Sequence, residues 1–385
     1  MKILVYQWKA YSTRYLIMNL RRMQIRVTEW ADQGIQEEEE TAIIKLEHEL
    51  GKNYDAVMSY NYFKGIALAC HDMKVKYISW TQDSPMLSLY DETACLDTNY
   101  FFCFDSEQLQ RLLKRGIGNA YYCPLAVDTM ALWNVAIGHR EPMERYISQI
   151  SFVGSLYSER NMLSELPIAE YLKGYFEGIV KTQLLLPAVR FSQMQIAPTV
   201  DKMVQESIVF EGLDKYQINS VELIDNLIDR QVTVEERRKM LQIFPEEIDF
   251  KLYTNSDTSK WPLIKNMGTV DYYTEMPIVF KNSLVNLNVS LRSIRKGIPL
   301  RILDVMSSGG FLLTNTQEDL FLFFEEGKDI VTFSCLEEMK DKALYYLKHD
   351  TERMQITEKG LNKTRKYFDF SVLLPQILQV AGLIK

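Results

Sequence analysis

The sequence alternates short, almost wholly apolar runs with longer amphipathic segments. In the first third of the chain, such runs occupy residues 3–6, 25–29, 56–60, 77–80, 100–105 and 121–127. Runs of this length and apolarity are typical of strands that are buried on both faces of a parallel sheet. The segments between them suit helices, as at residues 37–50, where Ile43, Ile44, Leu46 and Leu50 have roughly helical spacing. The pattern therefore predicts an α/β fold.

A second series of runs predicts a second doubly wound unit. A fresh strand is expected at residues 150–154, and further strands at 249–253, 269–272, 284–289, 311–314 and 330–333. Residues 161–241 favour helices, apart from a short run at 208–210. We predict a first domain over 1–140, a second over 141–365 with a helical insertion at about 161–241, and an apolar tail over 366–385 that packs across the body.

Length and composition narrow the class of protein. A chain of 385 residues is long enough for two domains with separate cores. Its formal charge of −7 disfavours nucleic acid as a partner. The five cysteines contain no C-x-x-C pair, and no run has the length of a signal sequence or membrane span. We expect a cytoplasmic protein with no membrane span.

The segment that follows the predicted strand at 284–289 is the best candidate for chemistry. Its pattern indicates a strand, a loop, a helix of about ten residues and a further strand. Pro299 suits the first helical position, and the glycine pair Gly309-Gly310 suits a left-handed helix end. The amino end of this helix would face the carboxyl end of the strand, where free N–H groups attract an anion such as a diphosphate.

Four basic residues, Arg292, Arg295, Lys296 and Arg301, lie near that helix end in the sequence. An arginine can bind phosphate through two parallel hydrogen bonds. Asp304 follows Arg301 by three positions, so its carboxylate could accept hydrogen bonds from ribose hydroxyls while Arg301 meets phosphate. Spacing alone is equally consistent with a local Arg301–Asp304 ion pair on a solvated face.

Several motifs resemble one family. The runs GIPLRILDVMSSGGFLLTN, LVNLNVS and FFEEGKDIVTF resemble the carboxyl-terminal domain of CgeB-like spore-maturation glycosyltransferases. The runs YISWTQDSP, YYCPLAVD and ISFVGSLYSERNML resemble other parts of the same family, in the same order. The resemblance implies a GT-B fold, in which two Rossmann-like domains face a cleft. It also implies a hexosyltransferase-type enzyme that needs no metal or other cofactor and uses a nucleotide sugar, with a UDP-sugar favoured.

The resemblance also assigns a donor site in the second domain. Retaining GT-B enzymes commonly carry two glutamates eight positions apart on the helix; here Asp304 takes the second position and Lys296 the first. Of the residues that follow, Gly154 taken alone is equally well explained by an ordinary turn. The donor-binding residues expected are Gly154, Ser155 and Arg160 near the phosphates, Val270 and Tyr272 near the base, Asn288 and Ser290 at the crevice, and Lys296, Gly297, Ile298, Pro299, Leu300, Arg301 and Asp304 around the helix start.

Two residues are candidates for the catalytic base or for orienting the acceptor. Asp83 follows a predicted strand of the first domain, although Asp before Ser84-Pro85 is equally typical of a helix cap. His71 is the second candidate, although a surface histidine at a helix end explains it more simply. The four histidines are scattered and form no metal-binding pattern.

The leading hypothesis is a glycosyltransferase whose acceptor is a protein, a glycan or a small molecule. The alternative is a nucleotide-sugar-binding scaffold or regulator without turnover, which Lys296 at an acidic position makes conceivable. An oxidoreductase is disfavoured because the first strand is followed by Gln7, Trp8 and Lys9, with no G-x-G-x-x-G.

Overall fold

Two parallel sheets of six strands each organise the described part of the chain. A computed structural model of the protein describes residues 1–31, 33–138, 144–157, 163, 168–187, 198–207 and 220–385. The α/β fold with two parallel sheets and flanking helices that the sequence predicts is confirmed.

The first sheet has the strand order β2-β1-β3-β4-β5-β6, so the order reverses between β1 and β3. Helix α1 covers one face, while α2, α3 and α4 cover the other. All five residues of β3 are buried, as the apolar run predicts. The elements are β1 (Lys2–Tyr6), α1 (Thr13–Arg22), β2 (Arg26–Trp30), α2 (Glu40–Leu50), β3 (Ala56–Tyr60), α3 (Lys64–Asp72), β4 (Lys76–Trp80), β5 (Asn99–Cys103), α4 (Ser106–Lys114) and β6 (Ala120–Tyr122).

The second sheet has the order β12-β11-β10-β7-β8-β9, so its reversal falls between β7 and β10. A crevice forms outside the carboxyl ends of the strands at such a reversal, and α/β proteins bind ligands there. The elements are β7 (Ser148–Val153), β8 (Phe250–Tyr253), β9 (Lys265–Asn266), α9 (Met276–Asn282), β10 (Ser283–Asn288), α10 (Leu300–Ser307), β11 (Leu312–Asn315), β12 (Val331–Phe333), α11 (Leu336–Tyr346) and α12 (Asp350–Tyr367).

Three helices described between β7 and β8 share an apolar core of their own. They are α6 (Glu170–Leu185), α7 (Pro198–Ser207) and α8 (Ser220–Met240). Leu172 and Phe176 of α6 pack with Ile224 and Ile228 of α8 in this core. The run at 208–210, where a short strand is conceivable from the sequence, lies outside the described residues.

Two helices connect the domains. Helix α5 (Thr129–Gly138) follows the first sheet but packs against α9 and α10 of the second domain. Helix α13 (Phe370–Val380) returns to the first domain, where Phe370 lies 6.1 Å from the Trp80 ring and Lys76 Nζ donates to the carbonyl of Ala381 at 2.6 Å. The domain boundary at 140 stays a prediction, since residues 139–143 are not described.

Two local predictions are wrong. No strand forms at 269–272, because the Asp271 carboxylate accepts hydrogen bonds from the backbone N–H groups of Tyr273 and Thr274 and holds a turn. Helix α10 has eight residues rather than about ten, and Pro299 precedes it in an extended conformation, with φ −62° and ψ 145°. The expected left-handed end is present, since Gly309 has φ 71°.

Candidate functional site

A cavity of about 400 Å³ lies between the carboxyl ends of the two sheets. One wall is the loop after β4, from Gln82 to Ser88. The other wall comes from the second domain: Tyr157 after β7, residues Leu291, Ser293 and Ile294 after β10, and Arg230 and Val234 of α8. Polar groups from both domains therefore face one space.

Asp83 is an exposed carboxylate on the first-domain wall of this cavity. Its Oδ2 accepts a hydrogen bond of 2.6 Å from Asn61 Nδ2, while Asn61 Oδ1 accepts from the backbone N–H groups of Gln82 and Asp83. The alternative of a helix cap is not what the structure shows: the short 3-10 turn that follows begins at Leu87, after Met86. Asp83 is thus held in place with its carboxylate open to the cleft.

His71 lies near the amino ends of the strands of the first sheet, whereas Asp83 lies at their carboxyl ends. His71 is the penultimate residue of α3, and β4 begins four residues after Asp72, at Lys76. The helix runs back from the carboxyl end of β3, so its last turn lies near the amino ends of the strands. His71 Nδ1 is 3.4 Å from the exposed carboxylate of Asp97. The structure does not bring His71 together with Asp83.

The loop after β7 contains Gly154 and Ser155. Ser155 Oγ accepts a hydrogen bond of 2.9 Å from the backbone N–H of Tyr157 and lies 3.4 Å from Ser256 Oγ. These contacts fix the loop at the carboxyl end of β7, beside the reversal point of the sheet. Arg160, expected near the phosphates, lies outside the described residues.

The end of β10 is a closed polar network. Asn288 Nδ2 donates to Ser290 Oγ and to Thr314 Oγ1, both at 2.9 Å, and the backbone N–H of Ser290 donates to Asn315 Oδ1 at 2.7 Å. Asn288 and Ser290 are buried. These contacts join the end of β10 to the end of β11.

Gly297, in the loop between β10 and α10, packs against the first domain. A Cβ on Gly297 would lie 2.8 Å from the carbonyl oxygen of Phe104 and 2.9 Å from Asp105 Cα. The Asp105 carboxylate accepts hydrogen bonds from the backbone N–H groups of Arg295, at 2.8 Å, and Lys296, at 3.3 Å. These contacts hold the loop against the first domain.

The first turn of α10 carries no side-chain cap. Ile298, Pro299 and Leu300 lead into this helix end, and Pro299 occupies the N-cap position without a capping hydrogen bond. Lys296 Nζ forms an ion pair of 2.7 Å with Glu318, which raises the pKa of the lysine. An uncapped helix amino end retains its affinity for an anion.

Arg301 and Asp304 form the local ion pair that the spacing permits. Arg301 Nη1 lies 3.2 Å from Asp304 Oδ2 and also contacts Met276 Sδ. The phenol of Tyr272 donates to Asp304 Oδ1 at 2.9 Å. Burial raises the pKa of Asp304 to about 6, against the opposing effects of Arg301 and of the Tyr272 hydrogen bond. The carboxylate is covered in this arrangement, so its role toward ribose stays a prediction.

The segment expected near the base contacts the first domain through tyrosines. The Tyr272 ring lies 5.6 Å from that of Tyr11 and 6.2 Å from that of Tyr15, both in the first domain. The Tyr15 ring is also 5.0 Å from Tyr273. Val270 is partly buried against the same apolar core. An aromatic group of the second domain thus closes one side of the interface.

Helix α8 supplies residues that the sequence reasoning missed. This helix binds the loop after β10 through three sets of contacts. Thr233 Oγ1 accepts from the backbone N–H of Arg292, Glu236 pairs with the Arg292 guanidinium, and Asp225 and Asp229 pair with Arg295. Arg292 and Arg295 were expected near a phosphate, but their charges are neutralised by these carboxylates.

Among the described residues, no group of three or more histidine, cysteine, aspartate or glutamate side chains is placed to hold a metal ion. Within the same part of the chain, no helix combines the length and apolarity needed to cross a membrane.

Two doubly wound domains that face each other across a cleft define the GT-B architecture, and comparison with known proteins supports this class. Residues 230–379 match the model of a family described as Glycosyl transferase-like. No curated protein matches the chain. The matched region contains the end of α8, the loop after β10 and α10, whereas the loop after β7, which also belongs to the second-domain wall, lies outside it. The family match and the fold together confirm the expectation of a glycosyltransferase-type enzyme.

Solved structures with similar folds include glycosyltransferases from several bacteria. HepE of Anabaena in complex with UDP-glucose is 10% identical, with a TM-score of 0.58 and full coverage of both chains. A glycosyltransferase from Rickettsia africae ESF-5 is 10% identical, with a TM-score of 0.53 over 99% of this chain and 97% of that one. Sucrose-phosphate synthase from Thermosynechococcus elongatus is 8% identical, with a TM-score of 0.53 over 99% and 98%. At these identities, the likeness shows the fold.

Proposed function

We propose that this protein transfers a sugar from a nucleotide sugar, with UDP-sugars as the first candidates, to a hydroxyl group of an acceptor bound in the cleft. The observation that carries the proposal is the placement of the Asp83 carboxylate across one cavity from the loops that follow β7 and β10. A donor held at the reversal point of the second sheet would present its sugar to the same space.

Each wall has a part in this reaction. The bond between the anomeric carbon and the diphosphate oxygen breaks, and the acceptor oxygen forms the new bond to that carbon. Asp83 accepts the proton of the acceptor hydroxyl or orients that hydroxyl. The uncapped amino end of α10 and the guanidinium of Arg301 in its first turn stabilise the negative charge that develops on the leaving diphosphate.

One comparison supports the choice of donor. HepE of Anabaena has the same fold and has been solved with UDP-glucose. The resemblance of the GIPLRILDV and YISWTQDSP segments to CgeB-like proteins supports the finer assignment to that family. The cytoplasmic location expected from the sequence is part of the same proposal. No metal or other cofactor is part of the proposal, and the reaction is to be assayed with and without added Mg²⁺.

One observation favours the alternative of a binding scaffold without turnover. Lys296 stands where an acidic residue commonly meets the sugar, and it is paired with Glu318. A scaffold would bind the nucleotide sugar but would neither hydrolyse nor transfer it.

The test begins with the melting temperature of the protein against UDP, GDP, ADP, CMP and dTDP and their common sugar conjugates. A ligand that binds only the folded state raises the melting temperature by mass action. Release of nucleotide diphosphate from the stabilising conjugate is then measured over hours. Stabilisation with release supports a transferase, stabilisation without release supports the scaffold, and no stabilisation by any nucleotide contradicts both.

A further inference from the structure

Helix α8 inserts a buried guanidinium at the reversal point of the second sheet. Arg237 is 7% exposed. Its Nε donates at 3.0 Å to the carbonyl of Val289, directly after β10, and its Nη1 contacts the carbonyl of Ser155, two residues after β7. These two strands are the neighbours between which the strand order reverses. Arg237 therefore lies at the place where this fold class binds ligands.

The charge of Arg237 has no carboxylate partner among the described residues. Its oxygen contacts are the backbone carbonyls of Val289 and Ser155 and the phenol of Tyr157. The adjacent Glu236 is turned toward Arg292, with an Nε to Oε2 distance of 3.0 Å. Burial lowers the pKa of Arg237, and the nearby charge of Arg301 acts in the same direction. By contrast, Arg292 and Arg295 have carboxylate partners. An arginine cannot lose its proton in a protein, so an unneutralised cation remains at this point.

Tyr157 separates Arg237 from the cleft cavity. Its ring lies 4.8 Å from the guanidinium, and the same residue lines the cavity that contains Asp83. Tyr157 has φ 57°, a left-handed conformation that is unfavourable for a residue with a bulky side chain. The Tyr157 ring covers one side of the guanidinium. Rotation of this side chain would join Arg237 to the cavity.

We propose that Arg237 binds the diphosphate of the donor, so that the helical insertion is part of the donor site. This inference rests on the proposed function, and it identifies the diphosphate as the part of the donor that Arg237 contacts. Arg237 contacts Ser155 in the loop after β7 and Val289 at the start of the loop that leads into α10. Its charge is also affected by Arg301 in the first turn of α10, so an anion at that helix end would be within its electrostatic reach. Low exposure strengthens the attraction between this cation and a phosphate.

The experiment compares Arg237→Lys and Arg237→Gln with Arg238→Gln as the matched control. Arg238 is the next residue of the same helix and pairs on its surface with Glu235 at 2.8 Å. Affinities for UDP, UMP and inorganic pyrophosphate are measured by calorimetry. Loss of a charged hydrogen bond weakens binding by about 10- to 100-fold. We expect this loss for UDP and pyrophosphate in both Arg237 variants, a smaller loss for UMP, and wild-type affinities in Arg238→Gln.

Two additions keep the test decisive if the Arg237 variants fail to fold. Tyr157→Gly removes the cover and relieves the backbone, and we expect it to bind pyrophosphate at least as tightly as the wild type. A crystal structure of the wild-type protein with UDP is expected to show a phosphate oxygen within hydrogen-bond distance of the Arg237 guanidinium.

The outcomes separate the inference from the function. If the wild type binds UDP but the Arg237 variants bind it equally well, or the crystal structure shows the phosphates away from Arg237, the inference is overturned and the proposed function stands. Weaker pyrophosphate binding in Tyr157→Gly would assign the phosphate contact to Tyr157 instead. If the wild type binds neither nucleotide diphosphates nor pyrophosphate, the proposed function fails and the inference fails with it.

Discussion

The phenol of Tyr272 donates a hydrogen bond of 2.9 Å to the carboxylate of Asp304, which is 1% exposed. Tyr272 itself contacts Tyr11 and Tyr15 of the first domain. The covered carboxylate is thus linked, through one side chain, to the interface between the domains. Its protonation and the position of Tyr272 are therefore coupled.

The stability of the protein should carry a pH dependence that originates at Asp304. Burial raises the pKa of this carboxyl from 3.8 to about 6 in the folded state. The folded state then binds more protons than the unfolded state between these values, so this group contributes stability at low pH that is lost as the pH rises through about 6. The contribution is about 3 kcal/mol.

The measurement is the melting temperature of wild type and Asp304→Asn from pH 4 to pH 7. Asn keeps the shape but does not titrate, so the melting temperature of the variant relative to the wild type should rise with pH. Tyr272→Phe, which removes a hydrogen bond that lowers the pKa of Asp304, should move this transition to higher pH. A constant difference between wild type and Asp304→Asn over this range would contradict the assignment.

Arg301→Ala should weaken donor binding, and the structure adds an effect on stability. Arg301 is the cation beside Asp304, and its side chain is 27% exposed. Without it the buried carboxylate loses its charge partner, so we expect lower stability at pH 7 than at pH 5 relative to the wild type. The double variant with Asp304→Asn should recover that stability without recovering donor affinity. Unchanged affinity for UDP in Arg301→Ala would remove Arg301 from the donor site.

The fold was accessible from sequence because its signals are local. Strands such as β3 are buried on both faces, so their apolar runs are continuous and easy to detect. The prediction failed at 269–272, where the backbone bonds of one side chain, Asp271, override an apolar run. The sequence pattern alone does not show whether the Asp271 side chain or a neighbouring strand will bind these backbone N–H groups.

The functional site was harder to predict from the sequence than the fold. Burial and ion pairing decide which charged side chains are available to bind a ligand. In the run VEERRKM, Arg237 and Arg238 are adjacent and of the same type, and nothing in the run itself shows which of the two is buried. In the structure Arg237 is buried while Arg238 pairs at the surface with Glu235. Conversely, Arg292 and Arg295 stand out in sequence, but carboxylates of α8 neutralise them. That distinction requires the tertiary contacts of an inserted helix.

Gly297→Ala should destabilise the protein and disturb donor binding. A Cβ at this position would overlap backbone atoms, the carbonyl oxygen of Phe104 at 2.8 Å and Asp105 Cα at 2.9 Å, which cannot move as a side chain would. Such overpacking costs about 1–3 kcal/mol. The control is Gly174→Ala in α6, where no atom lies within 4 Å of the new Cβ and the helix should gain up to about 1 kcal/mol.

Urea unfolding measures both glycine variants, and calorimetry with UDP reports on the donor site. Because the loop after β10 is held against the first domain at Gly297, displacement there should also weaken UDP binding. A Gly297→Ala protein as stable as the wild type would show that the two domains do not meet at this point in solution.

Asp83→Asn should reduce the rate of sugar transfer, or of donor hydrolysis, by about 100- to 10,000-fold if the carboxylate takes the acceptor proton. Asp83 is exposed, and an asparagine oxygen can still accept the hydrogen bond from Asn61, so the melting temperature should change little. UDP affinity should also remain, because the proposed donor site lies on the opposite wall. The matched control is His71→Ala, which alters a residue near the amino ends of the strands of the same sheet and should leave the rate unchanged. An active Asp83→Asn enzyme would assign proton removal to another group, and an inactive His71→Ala enzyme with normal stability would return His71 to the site.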